Sequence, residues 1–296
     1  MRSFELIRAD DAQHAIALLA QHGAQARVLA GGTDLLVDLK STSKGPRVIV
    51  DISRARDMRR IELMQNGLHL GALVTHSDIM RSQLVRDTLP ALVAAAHTIG
   101  AAQTRNLGTL GGNLANAVPS MDSGPTLVAL DALAVIAGPQ GRRQLPLTEF
   151  FLGPRKTALA CDELLVGIVI PRHNVGKPTQ FLKFGLRNGQ ALALVNVAAS
   201  VEIDWITHTF AAPRLALGAV APTIIRARAA EQYLDGRPVT AEAMAEAGRF
   251  AATEAQPITD FRASAAYRRK LVAVLTQRAL AGACALAEAK RQESMQ

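Results

Sequence analysis

Residues 106–125 read Asn-Leu-Gly-Thr-Leu-Gly-Gly-Asn-Leu-Ala-Asn-Ala-Val-Pro-Ser-Met-Asp-Ser-Gly-Pro, and this stretch decides the fold. A second glycine-rich stretch, Ala30-Gly31-Gly32-Thr33-Asp34-Leu35, comes before it. Glycine lets backbone amides approach a pyrophosphate closely, and threonine and asparagine add neutral hydrogen-bond donors. The two stretches therefore predict one large phosphate-bearing ligand that is held from two sides. Neither is followed by a P-loop lysine and neither fits G-x-G-x-x-G, so nucleotide hydrolysis and the usual dinucleotide fingerprint are disfavoured.

The pattern around these stretches predicts an α/β part followed by an α+β part. Strands are predicted at residues 27–30, 47–52, 68–74, 133–137 and 164–170, and helices at 12–21, 34–40, 77–85, 90–98 and 125–131. Residues 171–178 contain two prolines and a glycine and form the predicted linker. Beyond it, strands are predicted at 180–186, 191–203 and 214–220, and helices at 227–234, 241–254 and 265–290. A sheet followed by helices is typical of a separate α+β domain.

Composition limits the class of protein independently. The net charge is +8, but the basic residues are scattered and aromatic residues make up only 4%, so nucleic-acid binding is disfavoured. We expect a solvated basic surface that also contacts acidic partner subunits. No apolar run reaches about 18 residues and the first residues lack an apolar signal core, so no membrane span and a cytoplasmic protein are expected. Cys161 and Cys284 are too few for an iron–sulfur or structural zinc site, and no metal is expected.

Several segments in register resemble one known family, the FAD-binding (medium) subunit of molybdenum hydroxylases, which are enzymes of the xanthine dehydrogenase and carbon monoxide dehydrogenase type. The segments are Ala30–Leu35, Gly71–His76, Gln103–Asn113, Pro119–Asp122, Arg155–Thr157, Glu163–Leu165, Ile170–Pro171, Lys183–Arg187 and Tyr267–Lys270. They cover nearly the whole chain in the family's order. One segment departs from the family: Gly153-Pro154-Arg155-Lys156-Thr157 has proline where members often have tyrosine, which bears on the electron acceptor more than on the fold.

The resemblance implies a fold and its boundaries. Residues 1–173 are expected to form an α/β FAD-binding domain of the PCMH/VAO type, with two α/β subdomains at about 1–55 and 56–173. Residues 178–290 are expected to form an α+β domain like the C-terminal domain of the carbon monoxide dehydrogenase flavoprotein. That domain should contain a small antiparallel sheet and a helical bundle.

The resemblance also implies which residues bind FAD. The pyrophosphate is assigned to the backbone amides of Gly31, Gly32, Thr33 and Asp34, and the adjoining Val28, Leu29, Ala30 and Leu35 are also assigned to FAD binding. Phosphate and nearby polar atoms are assigned to Gly108, Thr109, Gly111, Gly112 and Asn113. Ile99 and Gly100 are assigned to the isoalloxazine, Leu164 and Leu165 to the adenine, Asp122 to a ribose or ribityl hydroxyl, and Lys183 to the flavin edge. No catalytic residue and no metal ligand is assigned.

Simpler structural roles stay open for several of these residues. Asp34 is expected to cap the following helix, and a capping residue can still touch a cofactor through its backbone. The alternative for Asp122 is a turn aspartate, and the alternative for Lys183 is a solvated strand face. For the assigned apolar residues the alternative is plain core packing. His76 is expected to pack in a structural loop without a catalytic role.

The function implied by the resemblance is electron transfer within an oxidoreductase. The chain would take electrons from the 2Fe-2S iron–sulfur clusters of a small partner subunit and pass them to an external acceptor. A large partner subunit would carry the molybdopterin cofactor, and the usual assembly is a dimer of such heterotrimers. Two alternatives stay open: a stand-alone FAD-dependent oxidase or dehydrogenase, and an assembly subunit that has lost FAD.

Overall fold

The structure is a computed structural model that describes residues 3–42 and 45–295. Its first unit is a three-stranded parallel sheet with two helices: β1 (Glu5–Arg8), α1 (Ala12–His22), β2 (Ala26–Leu29), α2 (Leu35–Ser41) and β3 (Val48–Asp51), with the strands in the order β1-β3-β2. Asp11 caps α1 by accepting a hydrogen bond from the N–H of His14 at 2.7 Å, and Gly23 ends the helix with a φ of 52°. Both ends of the first predicted helix are thereby confirmed.

The second unit is an antiparallel sheet covered by short helices. The strands are β4 (Ile61–Met64), β5 (Gly67–Gly71), β6 (Leu133–Gly138), β7 (Gly141–Pro146) and β10 (Leu164–Pro171), in the order β4-β5-β10-β6-β7, with β8 (Phe151–Gly153) and β9 (Lys156–Thr157) as a separate hairpin. The helices are α3 (His76–Arg81), α4 (Gln83–Thr88), α5 (Pro90–Thr98), α6 (Ala102–Leu107), α7 (Leu110–Asn116), α8 (Ser123–Ala129) and α9 (Leu147–Phe150).

Two predicted features of the second unit differ in the structure. The helix predicted at 77–85 breaks at Ser82, whose backbone is extended and whose hydroxyl caps α4 by accepting from the N–H of Val85. The glycine-rich stretch at 106–125, for which no helix or strand was predicted before residue 125, is largely helical and forms the end of α6, all of α7 and the start of α8. Local hydrogen bonds at Thr109 and tertiary contacts, described below, outweigh the low helix propensity of glycine here.

Strand β10 lies between two cores. Its Leu165 and Ile168 pack with the helices of the second unit, whereas Leu164 and Val166 pack with the sheet and helix α1 of the first unit. Because both faces of β10 are covered, its sequence is almost continuously apolar, which is why it was easy to predict. The exposed strands β1, β4 and β7 carry no such signal and were not predicted.

The third unit is a four-stranded antiparallel sheet with three helices on it. The strands β11 (Thr179–Phe184), β12 (Val195–Asp204), β13 (Thr209–Gly218) and β14 (Ile225–Arg226) follow one another in the sheet, and the helices are α10 (Arg228–Leu234), α11 (Ala241–Glu254) and α12 (Ala265–Ser294). This arrangement confirms the predicted small antiparallel sheet and helices. In the described part of the chain, α12 alone is long and apolar enough to cross a membrane by length and composition. Its Val272, Leu280 and Ala283 are buried in the core of the third unit, as in the core helix of a globular domain.

The second and third units share one core. Phe181, Ala198 and Ala216 of the third unit are buried in the same apolar cluster as Leu92 and Leu127 of the second unit. The core therefore continues across the predicted linker, and the domain boundaries at 1–173 and 178–290 stay a prediction.

Candidate functional site

The first glycine-rich stretch, residues 30–34, turns the chain from β2 into α2. Gly32 has a φ of 73°, a backbone conformation that residues other than glycine rarely adopt. The backbone N–H groups of residues 31–35 find no hydrogen-bond acceptor within residues 3–42 and 45–295. Successive unpaired amides of this kind form a concave site for an anion. This stretch therefore has the donors that a phosphate group requires.

Asp34 does not cap α2 as predicted. It occupies the N-cap position, but its side chain accepts no hydrogen bond from the helix. Its backbone is already near-helical, with φ of −108° and ψ of −53°, whereas a capping side chain needs an extended backbone to reach back to the first turn. The hydroxyl of Thr33 instead donates to the exposed carboxylate of Asp34 at 3.4 Å.

The second glycine-rich stretch uses its amides within the protein. The N–H of Leu110 donates to Val74 at 2.8 Å and that of Gly111 donates to Ala72 at 2.8 Å. The Thr109 hydroxyl caps α7 by accepting from the N–H of Gly112 at 3.0 Å. The start of α7 is thus fixed on the turn that follows β5, and these three amides are not available to a ligand.

The two glycines of this second stretch have different surroundings. A Cβ on Gly111 would lie 2.5 Å from the Cβ of Ala72 and 2.7 Å from its carbonyl oxygen, so this position admits only glycine. Gly112 is exposed, and a Cβ there would meet only the Thr109 hydroxyl, at 2.9 Å. Asn113 accepts a hydrogen bond from the buried Ser123 at 2.6 Å. Gly111 therefore serves packing, and Gly112 leaves a surface that is open to a ligand.

The two stretches meet at Gly31 and Gly108. A Cβ on Gly31 would lie 1.8 Å from the carbonyl oxygen of Leu107, so the two backbones are in direct contact. A Cβ on Gly108 would lie 3.6 Å from the Thr33 hydroxyl and 3.4 Å from Cδ2 of His76. The structure thus brings together the two stretches that the sequence assigned to a single ligand.

A buried polar cluster lies where the second and third units join. Lys183 donates from Nζ to Oδ2 of Asp122 at 2.5 Å and to the carbonyl oxygen of Thr98 at 3.1 Å. Asn196 donates to Oδ1 of Asp122 at 2.9 Å, and the hydroxyl of Thr98 donates to Oδ2 at 3.2 Å. Burial raises the pKa of Asp122, and the ammonium of Lys183 with the hydrogen bonds from Asn196 and Thr98 opposes that rise. Lys183 is therefore not on a solvated strand face but holds the end of α5.

Comparison with known proteins identifies the family. The family model described as "FAD binding domain in molybdopterin dehydrogenase" matches residues 2–173, and "CO dehydrogenase flavoprotein C-terminal domain" matches residues 180–283. This chain belongs to the FAD-binding subunits of the molybdenum hydroxylases. The family resemblance deduced from the sequence is confirmed, and the chain is a component of an oxidoreductase.

Similar proteins agree with this assignment over more than nine tenths of their length. The xanthine dehydrogenase FAD-binding subunit of Escherichia coli O157:H7 is 34% identical over 289 residues, covering 96% of this chain and 97% of that protein. The carbon monoxide dehydrogenase medium chain of Hydrogenophaga pseudoflava is 34% identical over 272 residues, covering 92% and 93%.

Solved structures give the same result for the fold. Carbon monoxide dehydrogenase from Hydrogenophaga pseudoflava superposes with a TM-score of 0.92 at 34% identity over 96% of this chain and 98% of that chain. Quinoline 2-oxidoreductase from Pseudomonas putida 86 superposes with a TM-score of 0.90 at 29% identity over 97% and 98%. The predicted α/β flavin domain followed by an α+β domain is confirmed.

The remaining predicted FAD-binding residues of this flavoprotein subunit fall into two groups. Ile99 and Gly100 lie close to the polar cluster: Arg105 donates to the carbonyl oxygen of Ile99 at 3.0 Å, and the N–H of Gln190 donates to that of Gly100 at 3.2 Å. Leu164 and Leu165, by contrast, are 4% exposed and lie in two different cores. Both leucines are therefore core residues in this structure, which was the alternative to a contact with the adenine.

The residues present fit a flavin dinucleotide. The unpaired amides of residues 31–35 suit its phosphates, and Gly112 of the second stretch is exposed and carries no side chain that would block a ligand. Val28, Leu29, Ala30 and Leu35 flank the amides and are only partly buried, so they can contact a ligand. Among residues 3–42 and 45–295, no three His, Cys, Asp or Glu side chains are grouped as they would be around a metal ion.

Proposed function

We propose that this chain binds one FAD between residues 28–35 and 108–113 and relays electrons through it. In this proposal the electrons come from the 2Fe-2S clusters of a small partner subunit and leave to an external acceptor. The observation that carries the proposal is the run of unpaired backbone amides at residues 31–35, in a stretch that contacts the second glycine-rich stretch at Leu107 and Gly108. A bound flavin supplies the ability to accept electrons singly and release them singly or in pairs.

The protein's own residues bind and orient rather than catalyse. The amides of residues 31–35 hold the diphosphate without a cation, and Gly112 and the side-chain amide of Asn113 line the opposite side. Ile99 and Gly100 line the flavin end, where Lys183 and Asp122 fix the preceding residue, Thr98. Asp122 already accepts three hydrogen bonds, so a cofactor hydroxyl would take one of its remaining lone pairs. No acid, base or nucleophile is assigned, since electron transfer requires none.

We further infer a heterotrimer that contains a small iron–sulfur subunit and a large molybdopterin subunit, assembled as a dimer of heterotrimers in the cytoplasm. Support comes from the names of similar proteins, which include a "medium chain" of carbon monoxide dehydrogenase and a "medium subunit" of nicotine 6-hydroxylase. In such an assembly the substrate is hydroxylated on the large subunit, and this chain determines where the electrons go.

The test is an absorption spectrum with cofactor extraction on the natively purified assembly, with subunit sizing on the same sample. We expect one non-covalent FAD per copy of this chain, iron–sulfur absorbance and two further subunits. FAD in a lone chain would instead indicate a stand-alone oxidase or dehydrogenase. A purified assembly without flavin would contradict the proposal and leave an assembly role.

A further inference from the structure

One buried histidine lies at the point where the two glycine-rich stretches meet. His76 is the first residue of α3, only 2% of its surface is exposed, and its N–H donates to the carbonyl oxygen of Gly108 at 3.1 Å. Its Cδ2 and the hydroxyl of Thr33 both lie within 4 Å of the point where a Cβ of Gly108 would be. The imidazole therefore lies beside Gly108, where the two glycine-rich stretches meet. The expected packing role in a structural loop does not explain why a histidine stands there.

The two ring nitrogens of His76 are without hydrogen-bond partners in the described part of the chain, and Nδ1 is fully buried. A proton on Nδ1 would be a buried, unsatisfied N–H, which is costly. The neutral ring therefore carries its proton on Nε2. Nε2 is bonded to Cδ2, the ring atom that lies 3.4 Å from the position of a Cβ on Gly108, so the N–H donor is next to the ring atom that approaches this glycine.

We propose that His76 binds the diphosphate of the dinucleotide by donating a hydrogen bond from Nε2–H to a phosphate oxygen. This inference rests on the proposed FAD site and adds a binding residue that the sequence did not assign. Burial, with a smaller contribution from the nearby Arg105, lowers the pKa of His76 to about 4, so the imidazole is neutral at physiological pH before the dinucleotide binds. A neutral donor matches the rest of the site, where backbone amides take the place of cations.

The test uses the full apo chain and two substitutions at this position. His76→Phe keeps an aromatic ring but removes the donor, whereas His76→Gln places an amide N–H at a reach similar to that of Nε2. His69→Gln, on the neighbouring strand β5, is the matched control, since His69 bonds Asn66 outside the site. Titration calorimetry with FAD, ADP and riboflavin separates the diphosphate from the flavin ring, and thermal unfolding of each apo chain reports the fold.

We expect His76→Phe to weaken both FAD and ADP about 10-fold to 100-fold, the range for a hydrogen bond to a charged acceptor, with riboflavin binding unchanged. His76→Gln should stay within about 3-fold of the unsubstituted chain, and His69→Gln should have no effect. Equal loss of FAD, ADP and riboflavin, or full ADP affinity in a folded His76→Phe chain, would overturn the inference.

A second measurement needs no substitution. In the chain labelled with ¹⁵N-histidine, the His76 spectrum should show the Nε2–H form in the apo state, and ADP should shift Nε2 far more than Nδ1. An Nδ1–H form, or an Nε2 signal that ADP leaves unchanged, would refute the assignment. An unsubstituted chain that binds neither FAD nor ADP would overturn the proposed function itself along with this inference.

Discussion

Gly31–Gly32 and Gly111–Gly112 are two glycine pairs that look equivalent in the sequence but differ in the structure. The first pair begins a run of backbone amides without protein acceptors, whereas the amides of the second pair bond Ala72 and Thr109. The first pair is therefore built to bind, and the second pair mainly joins α7 to the turn after β5. The comparison shows that a glycine-rich motif can combine a binding half and a packing half in one site.

The largest effect is expected from Gly111→Val. A side chain there would overlap Ala72, whose Cβ and carbonyl oxygen lie 2.5 and 2.7 Å from the position of a Cβ. We expect a loss of about 3 kcal/mol or more in the free energy of unfolding, because the clash includes backbone atoms. Urea unfolding of the apo chain measures this loss. Native stability with weakened FAD binding would instead make Gly111 part of the binding half.

The next effect concerns His76, which lies where the two pairs meet. The pKa of this side chain is about 4 in the folded chain against 6.5 ordinarily, so between these values the unfolded chain binds the proton that the folded chain excludes. Stability from the neutral imidazole is complete above pH 6.5 and is lost as the pH falls towards 4, by at most about 1.4 kcal/mol per pH unit. His76→Gln should flatten this dependence in urea unfolding at pH 7.5 and 5. Identical slopes would mean that His76 is solvated.

Gly31→Ala tests the contact between the halves. The added methyl would lie 1.8 Å from the carbonyl oxygen of Leu107, so the two stretches must separate. The clash is with backbone atoms, as at Gly111, so we expect a loss of stability, which movement of the partly exposed turn at residues 30–34 reduces, together with a loss of FAD affinity. The expected loss is about 10-fold to 100-fold in Kd, equal to about 1.4 to 2.7 kcal/mol. Fluorescence titration with FAD measures it, and unchanged affinity would contradict a shared site.

Gly112→Val is the matched partner of Gly111→Val. The added side chain meets only the hydroxyl of Thr109, which caps α7, so the free energy of unfolding should fall by no more than about 2 kcal/mol, the cost of a lost cap. FAD affinity should nevertheless fall about 10-fold, because the side chain occupies the open surface. Together the two variants separate packing from binding within a single dipeptide. Unchanged FAD affinity in Gly112→Val would show that the ligand does not lie on this surface.

The smallest effect is expected at the hairpin of β8 and β9. Arg155 at its tip pairs with Asp38 of α2 at 2.5 Å, which joins the second unit to the helix after the binding half. Both side chains are about half exposed, so Arg155→Ala should cost no more than about 0.5 kcal/mol and less at high salt. Thermal unfolding at low and high salt checks this, and a loss of several kcal/mol would show a buried role.

Much of the fold and part of the candidate site could be predicted from the sequence, because the sequence signals for them are local. The ends of α1, the apolar run of β10 and the two glycine-rich stretches each depend on neighbouring residues or on burial of both strand faces. The helical form of 106–116 could not be predicted in this way, since it depends on carbonyl groups of Ala72 and Val74 far along the chain. The true partner of Lys183 is hidden for the same reason, because Asp122 lies in another unit.

The start of the helix at His76 has a sequence signal that the prediction did not use. Thr75 and Asp78 form a capping box, which fixes the first residue of α3 between them. A histidine at the first residue of α3 lies beside the segment that contacts the helix start, which here is the turn at Gly108. A lone histidine gives no such indication without the contact across the chain.

The core shared by the second and third units has a consequence for the order in which this chain matures. Leu92 and Leu127 are buried together with Phe181 and Ala216 of the third unit. The Asp122 carboxylate forms an ion pair with Lys183 of the same unit. Asp131 likewise forms an ion pair with a residue of the third unit, Arg226, with 2.8 Å between Oδ1 and Nη1. During synthesis the amino-terminal half therefore leaves the ribosome with an unfinished interior and unpaired carboxylates. The capacity to hold a cofactor would then be acquired late, after the last strands of the third unit have emerged.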